Sequence, residues 1–167
     1  MLVFILCLCV FVASPIQAKA SSELEFVSVS LAGKVRAIFV RDNYAYVGAG
    51  SMLQVYDVSD KLDPKMVSNT FVGNIWDIYV EEGRAYIAAG ENGFKILDVS
   101  DPVRPKLIGS YDSPTFKLYV LKGFAYIYEL HGLRILDVSD PANPREIGRY
   151  DDIGYSGSHC DLYVVNN

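Results

Sequence analysis

The sequence predicts an all-β fold, a β-propeller of four-stranded antiparallel blades, and three columns of residues that recur in step predict it. Ala-Tyr stands at Ala45-Tyr46, Ala85-Tyr86 and Ala125-Tyr126, at intervals of 40 residues. Asp-Val-Ser-Asp starts at Asp57, Asp98 and Asp137, at intervals of 41 and 39. Pro64, Pro105 and Pro144 each follow the first Asp of their motif by seven residues. The two sets of intervals differ for one reason. The second repeat carries an extra residue in Gly90-Glu91-Asn92-Gly93, where the first has Gly50-Ser51-Met52 and the third Leu130-His131-Gly132. A unit of about 40 residues with four short strands is the signature of a propeller blade.

Each repeat divides into the same four segments. The first strand is Val35–Val40, with Ile75–Val80 and Phe116–Val120 as its copies. Asn- or Gly-containing turns follow (Arg41-Asp42-Asn43, Glu81-Glu82-Gly83, Leu121-Lys122-Gly123), since these residues tolerate the positive φ of tight hairpins. The Ala-Tyr segment is the second strand, as in Arg84–Ala89. The third runs over Leu53–Val58, Phe94–Val99 and Leu133–Val138, and the fourth over Lys65–Phe71, Lys106–Tyr111 and Arg145–Tyr150. Between them, Asp and Ser bond nearby backbone N–H groups and Pro cannot continue a ladder. We therefore assign structural roles to Asp57, Ser59, Asp60, Asp98, Ser100, Asp101, Asp137, Ser139 and Asp140 of the loops, and to Tyr46, Tyr86 and Tyr126 of the second strands. The blades span residues 35–72, 75–112 and 116–151. No window has helical periodicity, and the short turns leave no room for the helices a parallel sheet needs.

Composition sets the class of protein. A chain that is 51% hydrophobic and 13% aromatic, with 12 Tyr, is not disordered and favours strands. Its formal net charge of −5 and the absence of any Lys/Arg run argue against nucleic acid as a partner. Residues 1–20 differ from the rest. Met1–Val12 is almost wholly apolar, Pro15 breaks the run, and Ala18-Lys19-Ala20 is a small-x-small cleavage pattern. This predicts a secretory signal peptide over 1–20, although no Lys or Arg precedes the apolar run. A lipoprotein is the weaker reading, because Leu6 and Leu8 before Cys7 and Cys9 are large for lipid attachment. Cleavage removes Cys7 and Cys9, leaving Cys160 as the sole thiol, so residues 21–167 would hold no disulfide and no membrane span.

The motif Leu53-Gln54-Val55-Tyr56-Asp57-Val58-Ser59, with Phe94-Lys95-Ile96-Leu97-Asp98-Val99-Ser100 and Leu133-Arg134-Ile135-Leu136-Asp137-Val138-Ser139, resembles the LVIVD repeat of bacterial and archaeal surface proteins. The resemblance covers roughly residues 25–167. It implies a propeller at the cell surface or beyond the inner membrane, and implies no reaction. Two departures stand out. Lys61 replaces the Pro of Pro102 and Pro141, and Tyr128-Glu129-Leu130 replaces the small Ala-Ala-Gly of the second repeat.

The flanks predict an incomplete ring. Residues 25–31 match a fourth strand, and 160–165 match a first strand. A fragment of a longer propeller is therefore expected, with self-association through open blade edges as the alternative for a complete chain.

Chemistry-bearing motifs are scarce in the sequence. Gly-x-Ser-x-Gly, phosphate-loop, His-Glu-x-x-His and Cys-x-x-Cys motifs are all missing, so no catalytic residue and no cofactor is assigned. No metal site is assigned either, since two Asp in a turn fall short of the oxygens calcium needs and capping explains them. His131 lies in a turn. His159 adjoins Cys160 after an inserted loop. The candidate functional column is Ala37, Asp77, Lys117 and Asp161, one position of the innermost strand that turns polar amid apolar neighbours. Asp77, Lys117, Asp161 and His159 are the candidate ligand-binding residues at the channel mouth, with an inter-blade ion pair as the plainer reading of Asp77 and Lys117. Arg36, Trp76 and Phe116 share the preceding position and read as packing. The expected function is a secreted or surface-exposed, non-enzymatic scaffold that binds an unknown protein or surface ligand. The alternatives are an extracytoplasmic hydrolase or lyase with its site at the channel mouth, and a spacer module.

Overall fold

Alternating residues with polar turns at short intervals make this chain fold as hairpins, and the computed structural model describes residues 34–129 and 132–151 of it. The described residues lie within one compact unit that starts at Ala32. They form three antiparallel sheets of four strands and no helix, so no helix among them is long and apolar enough to cross a membrane. Blade 1 consists of β1 (Val35–Arg41), β2 (Tyr44–Ala49), β3 (Met52–Asp57) and β4 (Lys65–Phe71). Blade 2 consists of β5 (Asp77–Glu81), β6 (Arg84–Ala88), β7 (Phe94–Asp98) and β8 (Lys106–Tyr111). Blade 3 consists of β9 (Lys117–Leu121), β10 (Phe124–Tyr128), β11 (Leu133–Asp137) and β12 (Arg145–Tyr150). In each sheet the strands pair in chain order. β5 lies beside β1 and β9 beside β5, so the first strand of each blade is the inner one. The described blades make an arc and not a closed ring.

The turns explain the tight pairing. Glu81 pairs with Arg84 and Leu121 with Phe124, leaving two-residue loops. Both loop residues take positive φ, 50° and 70° at Glu82 and Gly83, 52° and 78° at Lys122 and Gly123. Such turns twist the way adjoining strands twist. The extra residue of the second repeat sits where the sequence places it. Ala49 pairs with Met52 and Glu129 N–H bonds the Gly132 carbonyl, whereas Ala89 N–H reaches past a longer turn to Gly93.

Strand ends differ from the expected ones by a residue or two. Ile75 and Phe116 precede their strands. The Ile75 N–H is taken by Gly50 of the previous blade, while Phe116 N–H still bonds Tyr128 of its own. The third strands stop at Asp57, Asp98 and Asp137. The Val58, Val99 and Val138 N–H groups instead bond Asn43, Gly83 and Gly123 in the facing turns. The fourth strands agree with expectation and share a bulge, between Val55/Tyr56, Ile96/Leu97 and Ile135/Leu136 on the facing strand. A bulge adds local twist to an outer strand.

The core lies between sheets. One face of blade 1, with Phe39, Tyr46, Leu53 and Val55, packs on Ile78, Val80, Ile87 and Leu97 of blade 2. The opposite face of blade 2, with Tyr79, Tyr86, Phe94 and Ile96, packs on Leu118, Val120, Ile127 and Leu136 of blade 3. The contact is therefore directional: a mixed trailing face that carries the aromatic rings meets an aliphatic leading face. Each such side chain contributes roughly 1.5–3 kcal/mol when fully covered. Inner-strand burial follows the same rule. Ile78 and Val80 are 4% and 2% exposed and Leu118 and Val120 are 5% and 1%, but the matching Ile38 and Val40 are 53% and 58%. Likewise Tyr46 and Tyr86 are buried while Tyr126, on the trailing face of blade 3, is half-buried.

The Asp-Val-Ser-Asp loops also join blades. The Ser68 hydroxyl of β4 donates to the Pro102 carbonyl at 2.9 Å. The equivalent Gly109 of β8 lies under Pro141, where an added Cβ would come within 1.8 Å of the carbonyl oxygen. A small residue is required there because the blade 3 loop rests on bare backbone.

Candidate functional site

The loop acids act as caps. Asp57, Asp98 and Asp137 each accept the N–H two residues on, from Ser59, Ser100 and Ser139 at 2.8, 2.9 and 3.0 Å. The Ser100 and Ser139 hydroxyls donate to the same oxygens. Asp60, Asp101 and Asp140 repeat the arrangement with Leu62, Val103 and Ala142. The turn-capping role predicted for these residues is thus their geometry. In blade 3 the loop borders a cavity of about 260 Å³ lined by Asp137, Ser139, Asp140, Asn143 and Arg145. Its carboxylates already accept from Ser139, Ala142, Asn143 and Arg145.

These bonds hold the carboxyls of Asp57, Asp98 and Asp137 below the usual range, with the serine hydroxyl as the largest cause and its N–H next. A carboxyl depressed in the folded state stabilises the fold above its ordinary value, and that contribution is lost as pH falls through the folded value. We expect Tm to decline as pH is taken from 6 to 2, and the decline to be shallower in Asp98→Asn/Asp137→Asn, which keeps an acceptor oxygen but cannot titrate. Melting curves across that range would expose an error as an unchanged slope.

The inner strands carry the candidate column. Ala37, Asp77 and Lys117 occupy one register position, opposite Gly48, Ala88 and Tyr128. Asp77 and Lys117 are brought together, with Oδ2 to Nζ at 3.9 Å and both side chains partly exposed. Asp77 Oδ2 also accepts the Leu118 N–H at 3.2 Å, tying β5 to β9. Both residues take part in further interactions. Asp161, His159, Cys160 and His131 lie outside the described residues, as do the expected signal peptide and the flanking strands 25–31 and 160–165.

Aromatic residues flank this column on both sides. Phe39, Tyr79 and Tyr119 step from blade to blade at 5.1 and 5.6 Å between ring centres. Burial, with the nearby Glu81 next, raises the Tyr79 phenol above its ordinary value. On the other side the Arg36 guanidinium lies 4.0 Å from the centre of the Trp76 ring, which meets Phe116 edge-on at 5.2 Å. Arg36 also donates to Asn74 Oδ1 at 3.1 Å. This row packs, as its position predicts.

One cluster was not anticipated. At the outer part of the blade 2–3 interface, Glu129 is 8% exposed and accepts bonds from the Ser113 hydroxyl and Arg134 Nε. Arg134 reaches Glu146 through its other arm at 2.9 Å, and the Tyr111 hydroxyl donates to Glu146 at 2.7 Å. Burial, then the bond to Glu146, pushes the Tyr111 phenol up to about 12. The Tyr111 bond, followed by Arg134, holds the Glu146 carboxyl below its usual range. Glu129 was visible as a departure from the small residues of the other repeats. The rest of the cluster was not, because it comes from the preceding blade, the next strand and the outer strand.

Comparison with known proteins fits this architecture. The LVIVD repeat matches three times, over residues 32–71, 72–113 and 115–152. No curated protein sequence matches the chain. The crystal structure of the computationally designed Ika4 protein is similar, with a TM-score of 0.62 at 12% identity over 81% of this chain and 82% of that one. The designed Ika8 protein has the same TM-score and identity over 80% of this chain, which spans 41% of the Ika8 chain. At such identity the likeness is one of fold. With three matched repeats covering most of its length and each coinciding with a four-stranded blade, the chain belongs to the LVIVD-repeat family.

Proposed function

We propose that this protein is a secreted or surface-exposed scaffold without enzymatic activity, which binds a protein or surface ligand at the inner-strand end of its blades. The supporting observation is the contrast between columns. Position 37/77/117 changes from Ala to Asp to Lys, while 38/78/118 stays Ile or Leu and 40/80/120 stays Val. A rigid frame with one variable, partly exposed polar column is how repeat scaffolds present recognition groups. His159 and Asp161 extend that candidate site in sequence. The exposed Ile38 and Val40 favour self-association through the leading face of blade 1.

The test has two parts. N-terminal sequencing of the protein recovered outside the cytoplasm is expected to start at Ser21; recovery only inside cells would end the secretion reading. Binding of the purified chain to immobilised cell-surface polysaccharide and to a surface-protein panel should be lost in Asp77→Asn and Lys117→Met variants with unchanged Tm. Binding that survives both changes removes this column from the site. Turnover in a hydrolase and lyase substrate screen that disappears in Asp77→Asn would favour the enzyme instead.

A further inference from the structure

The three blades differ at one position of the third strand, and two of the resulting interfaces can be compared atom by atom. Gln54, Lys95 and Arg134 occupy equivalent places on β3, β7 and β11, opposite Val47, Ile87 and Ile127. At the blade 2–3 interface the cation is Arg134, and two carboxylates serve it, Glu129 and Glu146. Tyr111 of the preceding blade closes over Glu146.

At the blade 1–2 interface both carboxylates and the tyrosine of that arrangement are replaced. Ala89 stands for Glu129, Leu107 for Glu146 and Thr70 for Tyr111. The cation remains. Lys95 donates to the Val72 carbonyl at 2.6 Å and has no carboxylate partner among the described residues. One of its three ammonium donors is thereby used. What is left is a small open groove of about 50 Å³ lined by Thr70, Phe71, Val72, Lys95, Leu97 and Leu107. Its rim is apolar and exposed, with Phe71 74% and Leu107 59% accessible. The groove has room for a carboxylate head beside Lys95, and the rim offers a surface for the chain attached to it.

We propose that this groove is a ligand site for a carboxylate at the end of an apolar chain, with the head on Lys95 Nζ and the chain over Phe71 and Leu107. The ligand supplies at blade 1–2 what Glu146 supplies internally at blade 2–3. The site lies at the outer strands and stands apart from the inner column of Asp77 and Lys117, so either is testable without the other. A charge-assisted bond in a partly apolar setting is among the stronger polar contacts, which gives the head its selectivity.

Leucine-methyl NMR of the full chain would test it, with octanoate as a fatty carboxylate and acetyl-leucyl-leucine as a peptide carboxyl terminus. Either probe is expected to shift the Leu97 and Leu107 methyls saturably, and which one binds tighter identifies the source. Octanol should bind at least about ten-fold more weakly than octanoate. Lys95→Met should weaken octanoate by a similar factor. Leu107→Glu, at an exposed position that tolerates change, should do the same by placing an internal carboxylate beside Lys95. The proposal fails if octanol and octanoate bind alike, if neither probe shifts these methyls, or if both variants bind octanoate as the parent chain does.

Discussion

Gly109→Ala is expected to lower Tm by roughly 6–12 °C, while Gly148→Ala, the same substitution one blade later, is expected to leave it within about 2 °C. Both glycines stand at the same point of an outer strand, opposite Ile96 and Ile135. Only the first is covered. A Cβ at Gly109 would lie 1.8 Å from the Pro141 carbonyl oxygen and 3.0 Å from its carbon, whereas a Cβ at Gly148 meets, among the described residues, nothing closer than an Ile135 methyl at 3.7 Å. The obstacle at Gly109 is backbone, which cannot rotate aside as a side chain does, so blade 3 must move off blade 2. Overpacking of this kind costs about 3 kcal/mol at its upper range. Calorimetry of both variants decides the matter: equal shifts would mean the blade 3 loop does not bear on β8 as described.

Arg134→Met carries the second large effect. The guanidinium is held between Glu129 and Glu146, and it is four-fifths buried. Its removal leaves the Glu129 carboxylate, 8% exposed, with only the Ser113 hydroxyl as a side-chain partner among the described residues. Breaking one side of a buried pair costs about 3–5 kcal/mol, because a desolvated charge is left behind. For a chain of this size that is a fall of roughly 6–20 °C in Tm. The double variant Glu129→Ala/Arg134→Leu restores the apolar pattern of the second repeat at position 129 and should recover most of the loss. If the double variant melts as low as the single, the penalty comes from lost packing around Arg134 and not from the stranded carboxylate.

These two residues mark what the sequence reveals and what it hides. The blade order, the one-residue difference in hairpin length and the capping acids are all legible, because each depends on neighbours a few positions away. Asp and Ser bond the N–H two residues on, and an Asn or Gly turn decides its own hairpin. The Asp77–Lys117 pair was legible for a second reason: repetition aligns residues 40 apart into one column. The polar cluster lacks that help. Glu129, Arg134, Glu146 and Tyr111 sit in four different columns, and Arg134 and Glu146 read alone as ordinary solvent-facing charges on strands. The need for Gly109 was equally hidden, since its counterpart in blade 1 is Ser68, which meets its loop through a hydroxyl. The strand ends fell short at Ile75 because the N–H there turns to another blade.

The one-way fit of a ring-bearing trailing face onto an aliphatic leading face bears on how such a chain can arise. A heterologous contact leaves each unit carrying both halves of the match. A duplicated gene segment therefore enters the array with its two interfaces already made, and needs no new surface to be retained. A length difference in the hairpin turn, as at residues 90–93, does not disturb the match. Single copies can then differ, as at the Glu129–Arg134 pair: the third copy has a polar interface that the second, with Ala89 and Lys95, does not share.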